Sequence, residues 1–386
     1  MPTWPTTPTW TCRRGGRMRD VLPDLLRWWR AGVPVGMATV ARTWQSAPRR
    51  PGATLLVGPD GSAVGSVSGG CVEAAVYELC REVVADATPR SVRFGVSDDD
   101  ALAAGLTCGG TVELYVERVD RESFPQLDRV AAEVAAGRPV AVATCVDGPP
   151  GRRGRRIVLD AEGRHGSLGE PAVDAAVAAE ARALLRAGRS GVVRPRPVGE
   201  ELSVLVVAAP APARMLVFGA VDFAAAVAQA GRFLGYRVTV CDARPVFATP
   251  RRFPGAHEVV VDWPHRYLAA EAAAGRVDAR TVVCVLTHDA RFDVPVLRHA
   301  LDLPLAYVGA MGSRRTAEDR RRRLREAGVT EAALARLRAP IGLDLGGQTP
   351  EETAVSIAAE IVAVTRGGGG VPLSRLAGRI HADAPR

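Results

Sequence analysis

The chain has 386 residues, 47% of them hydrophobic and 24% charged, with a formal net charge of +8 and a pI near 9.6. It is too long for one ordinary hydrophobic core, so two domains are expected, and it holds no run of about 18 apolar residues that would cross a membrane. The basic balance suggests nucleic acid, but Lys and Asn are absent, every Lys/Arg-type charge is Arg, and Ile is scarce. This fits GC-rich coding usage better than a built basic face, so nucleic-acid binding is not expected. The Arg152-Arg153-Gly154-Arg155-Arg156 and Arg320–Arg323 clusters are read as solvated surface, with a phosphate-bearing partner as the alternative. The absent lysine excludes a Walker A loop, a Schiff base and a catalytic lysine.

Residues 1–17, rich in Pro and Thr, are expected to be disordered or spurious, and they lack the apolar stretch of a signal peptide. A helix begins at Met18 and runs through Trp29. Pro34–Val40 and Ala53–Val57 read as strands joined by the loop Thr43–Gly52, and Pro59-Asp60-Gly61 as a turn. Ala63–Val67 is a strand that runs into Gly65-Ser66-Val67-Ser68-Gly69-Gly70-Cys71-Val72-Glu73. From Val72 to Val84 apolar residues recur at helical spacing, so Cys71 is expected to open an amphipathic helix. A strand near Ser91–Phe94 and an acidic turn at Asp98–Asp100 precede Gly105-Leu106-Thr107-Cys108-Gly109-Gly110, which enters the strand Thr111–Val116. Pro125–Ala136 and Pro171–Arg186 read as helices; Pro139–Val146, Arg156–Leu159 and Leu202–Val207 read as strands.

Ala208-Ala209-Pro210-Ala211-Pro212-Ala213 is the expected linker, ending an N-terminal domain at 18–207. Strand and helix then alternate over 214–366, the mark of a parallel sheet, and 367–386 form a tail. Its strands are Met215–Phe218, Arg237–Asp242, Val259–Val261, Thr281–Leu286 and Ala306–Val308. Helices follow Gly219-Ala220-Val221-Asp222 and Ser313. The last helix opens on Thr349-Pro350-Glu351-Glu352, an N-cap, a first-turn proline and a capping-box glutamate.

The Gly65–Glu73 stretch offers backbone N–H groups at a helix start and a thiol biased toward thiolate, an anion cradle beside a nucleophile or metal ligand. The alternative is a tight turn whose cysteine makes a close contact. The Cys108 element carries the same alternatives, and two cysteines without a His pair do not complete a zinc site. Of the seven scattered cysteines, Cys80, Cys145, Cys241 and Cys284 are expected to be core thiols. The lack of any C-x-x-C fits a reducing cytoplasm and excludes clustered iron–sulfur ligation.

In the second domain, Val221 replaces the middle glycine of a G-x-G-x-x-G/A loop and would crowd a pyrophosphate. A Rossmann fold is therefore expected, with strong NAD(P) binding the less favoured alternative. Asp242 stands about 20 residues on, where an acid would hold a ribose hydroxyl. Thr287-His288-Asp289 lies at a strand's carboxyl end, where His288 would be either a proton shuttle or a cap. Gly312-Ser313-Arg314-Arg315-Thr316 would hold a phosphate or form a simple cap with exposed arginines. Gly342–Gly347 is either a site or a tight turn.

These motifs together resemble the XdhC/CoxI family. They include Ser46-Ala47-Pro48-Arg49, Pro51-Gly52-Ala53, the two Cys-Gly elements, Asp242-Ala243-Arg244-Pro245, Thr287-His288-Asp289, Tyr307–Arg315 and Pro340–Asp344. The resemblance runs from about Met18 to Arg366. It implies an α/β chain, an N-terminal α+β domain of the family type followed by a C-terminal Rossmann-like domain. It also implies an accessory protein that binds molybdenum cofactor (molybdopterin), a cofactor-binding chaperone in preference to a turnover enzyme. Such a protein assists sulfuration or insertion of the cofactor into a molybdenum hydroxylase of the xanthine dehydrogenase or carbon monoxide dehydrogenase type. The implied partners are the apo-hydroxylase, a cysteine desulfurase and a second copy in a homodimer.

By position, Cys71 and Cys108 would handle the cofactor, with Gly65, Ser66, Ser68, Gly69, Gly70, Gly109 and Gly110 beside them. In the second domain the candidates are Gly219, Asp242, His288, Asp289, Ser313, Arg314 and Arg315. A phosphate and a dithiolene suit an anion cradle beside a soft ligand. The alternative function is an NAD(P)-dependent oxidoreductase using Asp242 and His288.

Overall fold

The computed structural model describes residues 10–11, 18–44, 49–95, 110–195 and 202–377. The chain divides between Ala211 and Pro212 into two compact units.

The first unit runs β1 (Trp10–Thr11), α1 (Met18–Arg30), β2 (Val35–Trp44), β3 (Thr54–Val57), β4 (Ala63–Gly65), α2 (Glu73–Asp86), β5 (Arg90–Phe94) and β6 (Thr111–Val119). It continues with α3 (Leu127–Ala135), β7 (Val140–Asp147), β8 (Arg156–Leu159), β9 (Arg164–Gly166), α4 (Pro171–Ala187), β10 (Gly191–Val193) and β11 (Ser203–Ala209). One sheet has the order β1-β4-β3-β2-β6-β5 and the other β10-β11-β7-β8-β9. Every pairing is antiparallel except β1 with β4. β2 is buried from Val35 to Ala41 and β8 along its whole length, so both strands carry buried side chains on both faces. Helix α2 turns Val76, Cys80 and Val83 into the core, one stripe at helical spacing.

Three of the boundaries that differ from the sequence reading share one cause. Trp10–Thr11, within the leader expected to lack structure, pair with Ala63–Val64. β2 extends through Thr43 and Trp44 because β6 continues to pair with it, Trp44 opposite Thr111. β11 takes in Ala208 and Ala209 of the expected linker through pairing with Ala141 and Val140. In each case a neighbouring strand supplies the hydrogen bonds that local composition does not advertise.

The second unit runs β12 (Arg214–Phe218), α5 (Asp222–Phe233), β13 (Arg237–Asp242), β14 (Glu258–Val261), α6 (Pro264–Ala273) and β15 (Val282–Val285). It continues with α7 (Ala290–Asp302), β16 (Tyr307–Ala310), α8 (Arg314–Glu326), α9 (Glu331–Leu334), β17 (Leu337–Arg338) and α10 (Pro350–Arg366). Its sheet is wholly parallel, in the order β14-β13-β12-β15-β16-β17. Numbered within the unit this is 3-2-1-4-5-6, the order of dinucleotide-binding folds, and it reverses between β12 and β15. Alternate strand residues feed two apolar layers, Met215 and Val217 with α5 and α10 on one face, Leu216 and Phe218 with α7 on the other. The capping box at Thr349 forms as the sequence predicts. The chain is thus α/β, an α+β unit followed by a Rossmann-like unit.

Candidate functional site

β4 ends at Gly65, where φ is +94° and a Cβ would lie 2.2 Å from the Thr54 carbonyl oxygen, so only glycine fits. The turn that follows closes on one carboxylate. Oε1 of Glu73 accepts from Ser66 Oγ at 2.7 Å and from the backbone N–H groups of Val67 at 3.2 Å, Ser68 at 2.9 Å and Gly69 at 3.0 Å. Oε2 accepts from Gly70 N at 2.8 Å and from the Ser68 hydroxyl. Ser66 Oγ in turn accepts from Gly69 N, and Ser68 Oγ from Cys71 N and Val72 N.

Glu73 is 9% exposed. Burial pushes its pKa up, but the hydroxyls of Ser68 and Ser66 and the N–H groups of Ser68 and Gly70 outweigh that and bring it down to about 2. The turn is therefore an anion nest already filled by the chain's own anion.

This corrects two expectations. The cradle drawn from Gly65, Ser66, Ser68, Gly69 and Gly70 is not open to an outside phosphate, because its donors are engaged by Glu73. Nor does Cys71 open the helix: α2 begins at Glu73, and Cys71 lies in the turn, half-exposed and packed partly on the Val67–Val76 core. Glu73 was the residue to weigh, and its signal was present: it is the first charge after an uncharged run from Gly61 to Val72.

Cys108 and Gly109 lie outside the described residues. Gly110 is buried and leads into β6. β4 runs parallel in direction to β2 and antiparallel to β6, and its last residue, Gly65, stands in line with Leu55, Ala38 and Val116 across the sheet. Cys80, Cys145, Cys241 and Cys284 are core thiols, pushed up by burial to about 12, 11, 12 and 12. Among the described residues no group of three or more His, Cys, Asp or Glu is placed to hold a metal ion, and no helix is long and apolar enough to cross a membrane.

In the second unit, a Cβ on Gly219 would lie 2.7 Å from Thr287 Cγ2 and 2.9 Å from its backbone N. This glycine is required by the close approach of the β12 and β15 ends, not by a ligand. Asp242 is buried, with Oδ2 accepting from Ala220 N at 2.7 Å and Arg244 Nη2 at 2.8 Å, and Oδ1 from Arg244 N and Nε, both at 2.9 Å. Burial raises its pKa, and the Arg244 side chain with the Ala220 and Arg244 N–H groups lowers it overall. Both oxygens are thus engaged within the fold, which corrects the expectation that Asp242 stands ready for a ribose hydroxyl. Val221 is half-buried against the core beneath α5.

His288 is exposed and is not the cap; Asp289 caps α7 through Arg291 N and pairs with the Arg291 side chain, which holds its carboxyl down to about 2. Ser313 caps α8 through Thr316 N, and Arg314 and Arg315 are exposed. The arginine clusters are not uniformly solvated. Arg156 is buried with Glu117 at 2.6 Å and stacks over Phe124 at 4.3 Å, and Arg320 is buried with Asp293 at 2.6 Å.

Residues 215–361 match the model of the XdhC Rossmann domain, and residues 28–95 and 133–196 match that of the XdhC and CoxI family. The chain is 25% identical over 329 residues to a probable xanthine dehydrogenase subunit from Bacillus subtilis (strain 168), covering 84% of this chain and 92% of that one. It is 24% identical over 334 residues to the molybdenum cofactor insertion chaperone PaoD of Escherichia coli (strain K12), covering 86% and 84%. A crystal structure of a xanthine dehydrogenase from Bacillus halodurans is similar at a TM-score of 0.66 and 26% identity, over 91% of this chain and 96% of that one.

Proposed function

Because this chain belongs to the XdhC and CoxI family, we propose that it is an accessory protein of a molybdenum hydroxylase that takes molybdenum cofactor as cargo and delivers it to the apo-enzyme. The names of the relatives from B. subtilis and E. coli support the class of client and of cargo. The observation that carries the reading to a residue is Cys71, a half-exposed thiol on a turn pinned by its neighbour's carboxylate.

The residues fit the cargo in one respect only. A cysteine sulfur suits the soft, sulfur-rich metal end of the cofactor. The phosphate end finds no free donors at Ser66–Gly70, which Glu73 already occupies. Cys71 would therefore face the metal or its sulfur, and the turn orients that thiol without binding the phosphate. A shared role for Cys108 rests on the resemblance of its Cys-Gly-Gly element to the family alone. Sulfuration of the cargo on this chain would draw on a cysteine desulfurase.

An NAD(P)-dependent oxidoreductase has less support, because Asp242 is engaged by Ala220 and Arg244. The test is binding of purified molybdenum cofactor, read by fluorescence of the oxidised pterin, and reconstitution of apo-hydroxylase with and without the chain. Cys71→Ser is expected to weaken binding at least about tenfold, about 1.4 kcal/mol, with an unchanged melting temperature. Equal binding by the variant would remove Cys71 from the mechanism.

A further inference from the structure

β16 ends at Ala310 and passes the chain through Met311, Gly312 and Ser313 to α8, on the carboxyl edge of the parallel sheet where open α/β folds take ligands. Ser313 Oγ accepts from Thr316 N at 3.1 Å. The N–H groups of Arg314 and Arg315 begin the helix with no acceptor among the described residues. Both side chains are exposed, and neither makes an ion pair among the described residues.

Behind this turn lies Arg320, its side chain 3% exposed. Its Nε and Nη2 donate to Asp293 Oδ2 at 3.2 and 2.6 Å, and Nη2 donates also to the Met311 carbonyl at 2.9 Å. Its Nη1 is buried and has no hydrogen-bond partner among the described residues. That nitrogen faces the place where Gly312 has no side chain: a Cβ there would lie 3.6 Å from Nη1 and 3.1 Å from Thr316. A buried N–H of this kind has lost its water, and the loss is uncompensated unless something else accepts from it.

We propose that the Gly312–Arg315 turn is a binding site for a phosphate group. One oxygen would lie over Gly312 as the acceptor that Arg320 Nη1 lacks. The N–H groups of Arg314 and Arg315 would donate to the others, and the two exposed guanidinium groups supply the counter-charge. Several donors converging from helix start and guanidinium favour a terminal phosphate dianion over a carboxylate. The site is independent of Cys71 and stands or falls separately from the cargo reading.

Isothermal titration of the full chain in phosphate-free buffer, with inorganic phosphate, AMP and adenosine as probes, tests this. Saturable binding of phosphate or AMP, and none of adenosine, is expected. Arg314→Ala/Arg315→Ala, confined to exposed side chains, should weaken binding at least about tenfold. Gly312→Ala, whose Cβ would lie 3.6 Å from Nη1, should do the same with Arg314 and Arg315 intact and with an unchanged melting temperature, which separates this effect from backbone strain at φ +150°. AMP and phosphate binding equally would identify the free anion as the ligand; AMP binding about tenfold more tightly would identify a phosphate ester. Absence of saturation with both phosphate probes, or unchanged affinity in the double variant, overturns the site.

Discussion

The carboxylate of Glu73 accepts from six donors within Ser66–Gly70, and all but Gly69 N, which also donates to Ser66 Oγ, would otherwise need water or a ligand. Hydrogen bonds to an ionised acceptor are worth more than neutral ones, about 1.5–3 kcal/mol net each in a typical case, and burial of the Glu73 carboxylate offsets much of that here. The net effect is visible in the carboxyl itself, which falls from its ordinary 4.5 to about 2 despite burial. A group that titrates lower in the folded state than in the unfolded one stabilises the fold fully above the unfolded value. That stability is lost as the pH falls from about 4.5 toward 2. Glu73→Gln should therefore cost on the order of 3 kcal/mol at neutral pH by urea unfolding. The gap between wild type and variant should narrow as the pH is lowered from about 4.5 toward 2, and a gap that stays constant over that range would show that the charge is not what holds the turn.

At the scale of elements, the Glu117–Arg156 pair joins β6 of one sheet to β8 of the other within the first unit, with both side chains 5% exposed or less. Removing one member of a buried pair leaves the other charged and unpaired, at a cost of about 3–5 kcal/mol. Glu117→Gln should show that loss in urea, whereas Glu117→Leu combined with Arg156→Met should recover most of it; additive losses in the double variant would mean the pair is not coupled. The same pair shows where reading from sequence stops. Arg156 ends a run of arginines that looks solvated, and its partner lies 39 positions upstream on another sheet, out of reach of any local pattern. Arg320 repeats the lesson with Asp293, 27 positions away. Features set by neighbours in sequence were legible: the capping box at Thr349, the stripe of Val76, Cys80 and Val83, and the strand–helix alternation that gives the parallel sheet. Glycine-rich loops lay between these cases. Their positions were readable, but the acceptors that fill them, Glu73 in one unit and Asp242 in the other, depend on how a side chain turns once the backbone has folded.

For the whole molecule, the division at Ala211 and Pro212 makes a claim about cooperativity. Among the described residues, both apolar layers of the Rossmann-like unit are built from its own residues, Met215 to Ile361 on one face of the sheet and Leu216 to Leu337 on the other. A domain with its own closed core and a length within the usual range is expected to fold by itself. A fragment spanning Pro212–Ala377 should therefore unfold in one cooperative step. Trp263 is the sole tryptophan of that fragment, held 5.1 Å from Phe292 between their ring centres, so its emission reports packing between the start of α6 and α7. Far-UV circular dichroism reports the helices and sheet at the same time. Coincident midpoints from the two probes are the expected result. A fragment that keeps its helices while Trp263 emission shifts at lower urea would show that the apolar layers are not sufficient, and that residues before Pro212 contribute to closing this core.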